Sequence, residues 1–273
     1  MGARLLASPR RRGPTRLRTA PARANAWGAT DAERETAGGL LPRVGGAIAL
    51  LALALLLHQG RTGLLPAGLA ASLLWPSVLC LAIPAGVLFG TVWAVQGRSS
   101  AKLPWRSLLG VASLAGLVAF ALAAWITPRA NHSLRRLVME NMAPAMPTLS
   151  PGDRELNLME LSEGASRLHA SGRHGAAARL EVEWHKKPAL GASCLAFALA
   201  GAVIARRLRS SLLRWPLAIL LLAGWSVLLR LGEQAADQAL MAPAIAMWGP
   251  GLVVGALAAS SGLAGKRAKG AAV

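Results

Sequence analysis

Tyrosine is absent from the 273 residues, phenylalanine occurs three times, cysteine twice, and lysine and arginine outnumber aspartate and glutamate 30 to 12. Two cysteines exclude a disulfide-built fold, and Cys80 and Cys194 both fall inside apolar stretches, where buried thiols are expected. The shortage of acids leaves no carboxylate pair inside an apolar stretch. No Walker motif, Ser-His-Asp set or His-Glu-x-x-His is present either, so no enzyme chemistry is expected. No cofactor or metal ion is called for.

What the chain does have is apolar length. It is 54% hydrophobic yet carries a net charge of +18, a combination with too little polar surface to coat a soluble core. Uncharged windows fall at about 44–58, 69–95, 107–127, 189–205, 211–229 and 241–263, close to the roughly 20 residues a helix needs to cross a bilayer. The expected fold is all-α and polytopic, with six transmembrane helices. Pro76 and Pro84 kink the second, and Pro243, Pro250 and several glycines bend the sixth. With so few other aromatics, the interfacial belt falls to tryptophan. Trp75, Trp93, Trp105, Trp125, Trp184 and Trp215 stand near window ends.

Loop charge orients the spans. The N-terminal segment, the 96–106 loop (Arg98, Lys102, Arg106), the 206–214 loop (Arg206, Arg207, Arg209, Arg214) and the C-terminal segment (Lys266, Arg267, Lys269) are cationic and alternate along the chain. The positive-inside rule makes these cytoplasmic, with both termini. The expected organisation is a disordered basic tail (1–40), spans one to three (41–128), a short outer segment (129–188), spans four to six (189–263) and a cytoplasmic tail (264–273). The stretch 128–188 carries nine basic residues against seven acids, a near balance compatible with translocation.

Within the outer segment, Asn157 and Glu160 make a capping box ahead of Leu158, Leu161, Ala165 and Leu168, which recur at helical spacing. An amphipathic helix is predicted between spans three and four. "AARLEVEW" alternates like a strand or an extended lead-in to the membrane. At "EVEWHKKPALG" the chain passes from water through head groups into hydrocarbon, with Lys186 and Lys187 reaching toward phosphates and Trp184 anchoring. The alternative is a metal or acid–base site of Glu181, Glu183 and His185, which alternation would place on one face. His169 and His174 lack zinc-type spacing.

The tail has no apolar core of a secretory signal. It reads as a disordered segment touching anionic lipid or as an organellar transit peptide; nucleic-acid binding is not expected without interleaved aromatics.

Several stretches are similar to the LptF/LptG family, permease subunits of the ABC exporter that extracts lipopolysaccharide. "IPAGVLFGTVWAVQGRSS" (83–100) resembles the family's second span, and "ITPRANHSLRRL" (126–137) its Pro-x-x-Asn exit from the third. Residues 157–202 resemble the outer helix, final strand, His-Lys-Lys and fourth span. "MAPAIAMWGPGLV" (241–253) resembles the Trp-x-Pro sixth span, with Gly251 where Asn is usual. Two modules are missing. The connector 141–153 replaces a periplasmic jellyroll, and "GRSSAKLPWRSLLG" skips the acidic helix that docks the ATPase.

The resemblance implies a permease subunit in the bacterial inner membrane, moving lipopolysaccharide or a related lipid, paired with a second permease chain and an ATPase. The missing modules equally suit a non-transporting scaffold of a larger membrane complex. In the family the first and fifth spans of two subunits frame the acyl-chain cavity, and basic residues at its outer rim meet phosphates. The corresponding candidates are Arg61, Arg129, Arg135, Arg136, Lys186, Lys187 and Arg230, on charge pairing with an anionic head group. Arg230 also stands three residues before Glu233, where an intrahelical pair would account for it.

Overall fold

A computed structural model describes residues 31–60, 67–96, 105–142, 152–208 and 210–270. Among them every regular element is helical: α1 (Asp31–Gly60), α2 (Ala67–Val95), α3 (Trp105–Ala121), α4 (Thr127–Met142), α5 (Leu158–Ala170), α6 (His174–Arg207), α7 (Ser211–Asp237) and α8 (Pro243–Gly270). Five stretches are long and apolar enough to cross a membrane: Trp75–Val95, Trp105–Arg136, His174–Arg207, Leu212–Asp237 and Pro243–Ser261. The apolar part of α1, Gly39–Leu53, is shorter. Residues 31–40, expected in the tail, belong to α1, whose Leu40 and Val44 are buried in the cluster that α2 and α3 complete. The remainder of the tail, 1–30, lies outside the described residues.

The third window does not stop at 127. A single π turn, Leu122–Ile126, joins α3 to α4, and the Thr127 amide donates back five residues to the Leu122 carbonyl. Pro128 explains it. Proline cannot donate, and its ring collides with the carbonyl four residues back, so the ladder widens instead of breaking. Helix therefore continues past the third window to Met142.

α2 and α6 form the centre. Leu88 and Val92 of α2 pack with Phe197 of α6, Trp225 of α7 and Met247 of α8 in one buried cluster. α3, α7 and α8 turn rows of large aliphatic side chains outward, among them Leu114 and Leu117, Ile219 and Leu220, and Leu252 and Leu257. Water would penalise such faces; hydrocarbon does not. The chain is a multi-pass membrane protein.

Glycine permits the tightest helix crossing. A Cβ on Gly116 would meet the Gly191 carbonyl oxygen at 2.5 Å, and one on Gly191 would meet the Gly116 oxygen at 2.7 Å. α3 and α6 touch backbone to backbone there, as small residues allow in membranes.

Helix directions gather several arginines at one end. Arg43 lies beside the end of α2, donating to the Ala94 carbonyl at 3.4 Å. Arg214 donates to Leu208 just past α6, and Arg207 reaches the Ser261 carbonyl of α8. Arg43 and Arg214 sit where α2 and α6 point their last carbonyls, the negative ends of the helix dipoles. The turn between α7 and α8 and the α5–α6 hairpin occupy the opposite end.

α5 begins as its sequence requires. Asn157 Oδ1 accepts from the amides of Met159 and Glu160, while Glu160 Oε2 accepts from the Asn157 amide at 2.7 Å. Leu161 and Ala165 bury against Leu180. Asn157→Ala is expected to cost about 1 kcal/mol locally. Hydrogen exchange should report it as faster exchange at the start of α5, with α2 unaffected.

The "AARLEVEW" expectation fails. These residues are helical, part of α6 from its start at His174. Leu180 buries toward α5, while Val182 joins the main core, so burial on two faces imitates strand alternation.

Candidate functional site

At the end opposite the arginine-rich loops, a cavity of about 1060 Å³ lies between α2 and α4 on one side and α7 on the other, with α6 as its back wall. Its inner part is apolar, lined by Leu81, Ala123, Leu190, Trp225 and Leu229. Trp225 is held edge-on to Phe197, ring centres 5.2 Å apart. The π turn places Ala123 and Thr127 on the wall. Toward the outer end the wall becomes charged, six basic residues facing five acids.

Most of these charges pair with one another. Arg135 of α4 donates to Glu155 at 3.1 Å. Glu183 of α6 takes Lys186 at 3.0 Å and Arg154 at 3.5 Å. Lys186 also reaches across to Glu233 of α7, which accepts from Arg230 at 3.0 Å. The side chains of Lys186 and Glu233 are 16% and 13% exposed, so this bridge between α6 and α7 is sheltered enough to matter. The rim is built from alternating charge, with apolar surface beneath it.

Four of the seven candidate head-group contacts, Arg135, Lys186, Lys187 and Arg230, line this cavity. Lys187 does not reach outward: it is buried, and its ammonium donates to the Leu156 carbonyl, pinning the chain ahead of α5 to α6. The expected intrahelical pairing of Arg230 with Glu233 is present. Arg129 and Arg136 are exposed on α4 away from the cavity lining. Arg61 lies outside the described residues.

Glu181, Glu183 and His185 do not share a face. In a helix, positions four apart share one and the position midway points elsewhere. Glu181 and His185 line a small pocket against α5, whereas Glu183 enters the large cavity. Among the described residues no group of three or more histidine, cysteine or carboxylate side chains is placed to hold a metal ion. Sequence spacing missed one contact. His169 and His174 bring their Nδ1 atoms to 3.1 Å across the turn at Gly172, and His169 Nε2 meets Glu181 at 2.9 Å. The turn depends on Gly172, whose φ of +72° suits glycine. That glycine was the available signal.

Residues 141–262, from the end of α4 into α8, match the family model described as lipopolysaccharide export system permease LptF/LptG. The match supports membership of the LptF/LptG permease family. No curated protein matches it. The matched residues hold α5 to α8 and supply α6 and α7, two of the walls of the cavity. LptF/LptG proteins are transporter subunits of a lipopolysaccharide export system. The similarities at 83–100 and 126–137 fall outside the matched residues. Between α4 and α5 the chain has fifteen residues, 143–157, so a jellyroll domain has no room there.

Proposed function

We propose that the chain is a permease subunit of an inner-membrane exporter for lipopolysaccharide or a related lipid, crossing the bilayer six times with α1 as its first span. The arginine-rich end faces the cytoplasm, the two termini with it, and the cavity opens near the outer leaflet. The observation that carries this reading is the shape of the cavity: apolar depth for acyl chains under a charged rim at head-group level. A second permease chain completes the transport path against α1 and α7, and an ATPase supplies the energy. Arg135, Lys186 and Arg230 are proposed contacts for phosphate at that rim, and Arg61, Arg129 and Arg136 remain proposed contacts apart from the cavity.

The short connection between α4 and α5 favours a second reading, a scaffold subunit that has given up transport, because hand-over of lipid to a periplasmic domain has no structure to run through. Affinity purification of the full chain in mild detergent separates the two. Recovery of an ATPase subunit and a glycolipid is expected for the permease; a stable complex with other membrane proteins that contains neither would establish the scaffold and end the transport reading.

A further inference from the structure

The α5–α6 hairpin carries a cluster that the large cavity does not use. His169, in the last turn of α5, holds its imidazole between two partners: Nδ1 stands 3.1 Å from His174 Nδ1, and Nε2 stands 2.9 Å from Glu181 Oε1. His174 is the first residue of α6, on the other side of the turn at Gly172. Proton counting limits what such a cluster tolerates. A bond between two Nδ1 atoms needs one N–H and one bare nitrogen; neutral imidazole offers one of each, whereas imidazolium offers two donors. With both rings neutral, His169 donates from Nε2 to Glu181, and His174 donates from Nδ1 to His169. With one added proton, His169 donates from both nitrogens and His174 accepts. Both contacts survive in either state. A second proton puts an N–H on each Nδ1, and the two rings can no longer meet.

We infer that the histidine pair is an acid-sensitive clasp: the tip of the α5–α6 hairpin stays closed with up to one added proton on the two rings and opens when both are protonated. Imidazole changes charge between pH 5 and 8, so the clasp works in that range. The helix ends set the order of protonation. His169 sits at the C-terminal end of α5, where positive charge is favoured, and beside a carboxylate. His174 sits at the N-terminal end of α6, where positive charge is disfavoured. The surrounding groups leave the count unchanged. Glu163 and Arg167 of α5 pair with each other, and Arg173 of the turn is a fixed cation. Arg179 and Glu183 of α6 line the large cavity instead. His185 of α6 shares the small pocket with His169 and Glu181, and its Nδ1 has no hydrogen-bond partner among the described residues. Below the clasp, Leu161 and Ala165 hold α5 against Leu180, so opening starts at the tip. This stands on the hairpin geometry alone; the permease reading adds only that the tip faces outward.

Hydrogen exchange of the full chain in mild detergent tests it, with rates corrected for the intrinsic pH dependence of exchange. Protection over residues 166–173 should change little between pH 7.5 and 6.5 and fall about fivefold by pH 5, the scale of one net hydrogen bond, with α2 unaffected. The series stops at pH 5 because carboxylates lose their charge below it. His174→Asn places an amide where Nδ1 stands and cannot titrate, so it should abolish the fall while retaining most of the protection at pH 7.5. His185→Gln removes the third imidazole of the hairpin and should leave the fall in place. His174 is exposed, so its replacement does not threaten the fold, and an unaltered size-exclusion profile checks this. Constant protection down to pH 5 in the unaltered protein, a fall that persists in His174→Asn, or one that disappears in His185→Gln would overturn the inference.

Discussion

Replacing Gly191 with leucine is expected to abolish recovery of monodisperse protein. The first added carbon would already stand 2.7 Å from the Gly116 carbonyl oxygen and 3.1 Å from Phe120 Cβ. The nearer obstacle is backbone, so no side chain can rotate out of the way, and α3 would have to leave α6. Overpacking inside a fitted core costs about 1–3 kcal/mol, and a leucine against backbone belongs above that range. Gly110 on the same α3 supplies the control, since a Cβ there meets nothing within 4 Å. Gly110→Ala should hold or raise thermal stability in detergent, by up to about 1 kcal/mol from helix propensity. Equal effects at the two glycines would refute the close α3–α6 crossing.

The second large effect belongs to Glu233. Its carboxylate serves Lys186 of α6 and Arg230 of its own helix while largely sheltered from solvent. Glu233→Ala leaves Lys186 with Glu183 alone and removes the charge link between the outer ends of α6 and α7. Fully buried pairs lose about 3–5 kcal/mol on such truncation; partial exposure brings the expectation to about 2 kcal/mol. Arg230→Ala, with its side chain 66% exposed, should cost less than about 1 kcal/mol. Thermal unfolding of Glu233→Ala, Lys186→Ala and the Lys186→Ala, Glu233→Ala double variant measures the coupling. Additive losses would show that the Lys186–Glu233 bridge contributes nothing.

The sequence disclosed these features unevenly, for physical reasons. Membrane windows are long-range averages of hydropathy, so windows two to six each correspond to a long apolar helix, and the Asn157–Glu160 capping box is a purely local signal that needs no tertiary context. The α6 start was misread because two different neighbours bury two of its faces, and Glu-Val-Glu-Trp then looks like a strand. Helical continuity through Pro128 was invisible because it needs a π turn, and composition does not encode one. For the site, cations could be named one by one, but their neutralising acids come from separate elements: Glu155 from the turn after Gly152, Glu183 from α6 and Glu233 from α7. A charge becomes conspicuous by lacking a partner only once every potential partner has been placed.

Cysteine accessibility tests most directly whether the cavity end and the arginine-rich end face opposite sides of a membrane. In a Cys80→Ala, Cys194→Ala background, Gly175→Cys at the start of α6 and Ser210→Cys before α7 each place one exposed thiol at one end. A membrane-impermeant maleimide applied to cells with a permeabilised outer membrane should label residue 175 and reach residue 210 only after lysis. Labelling of both before lysis, or of residue 210 alone, would contradict the proposed orientation and place the cavity on the wrong side for outward lipid movement.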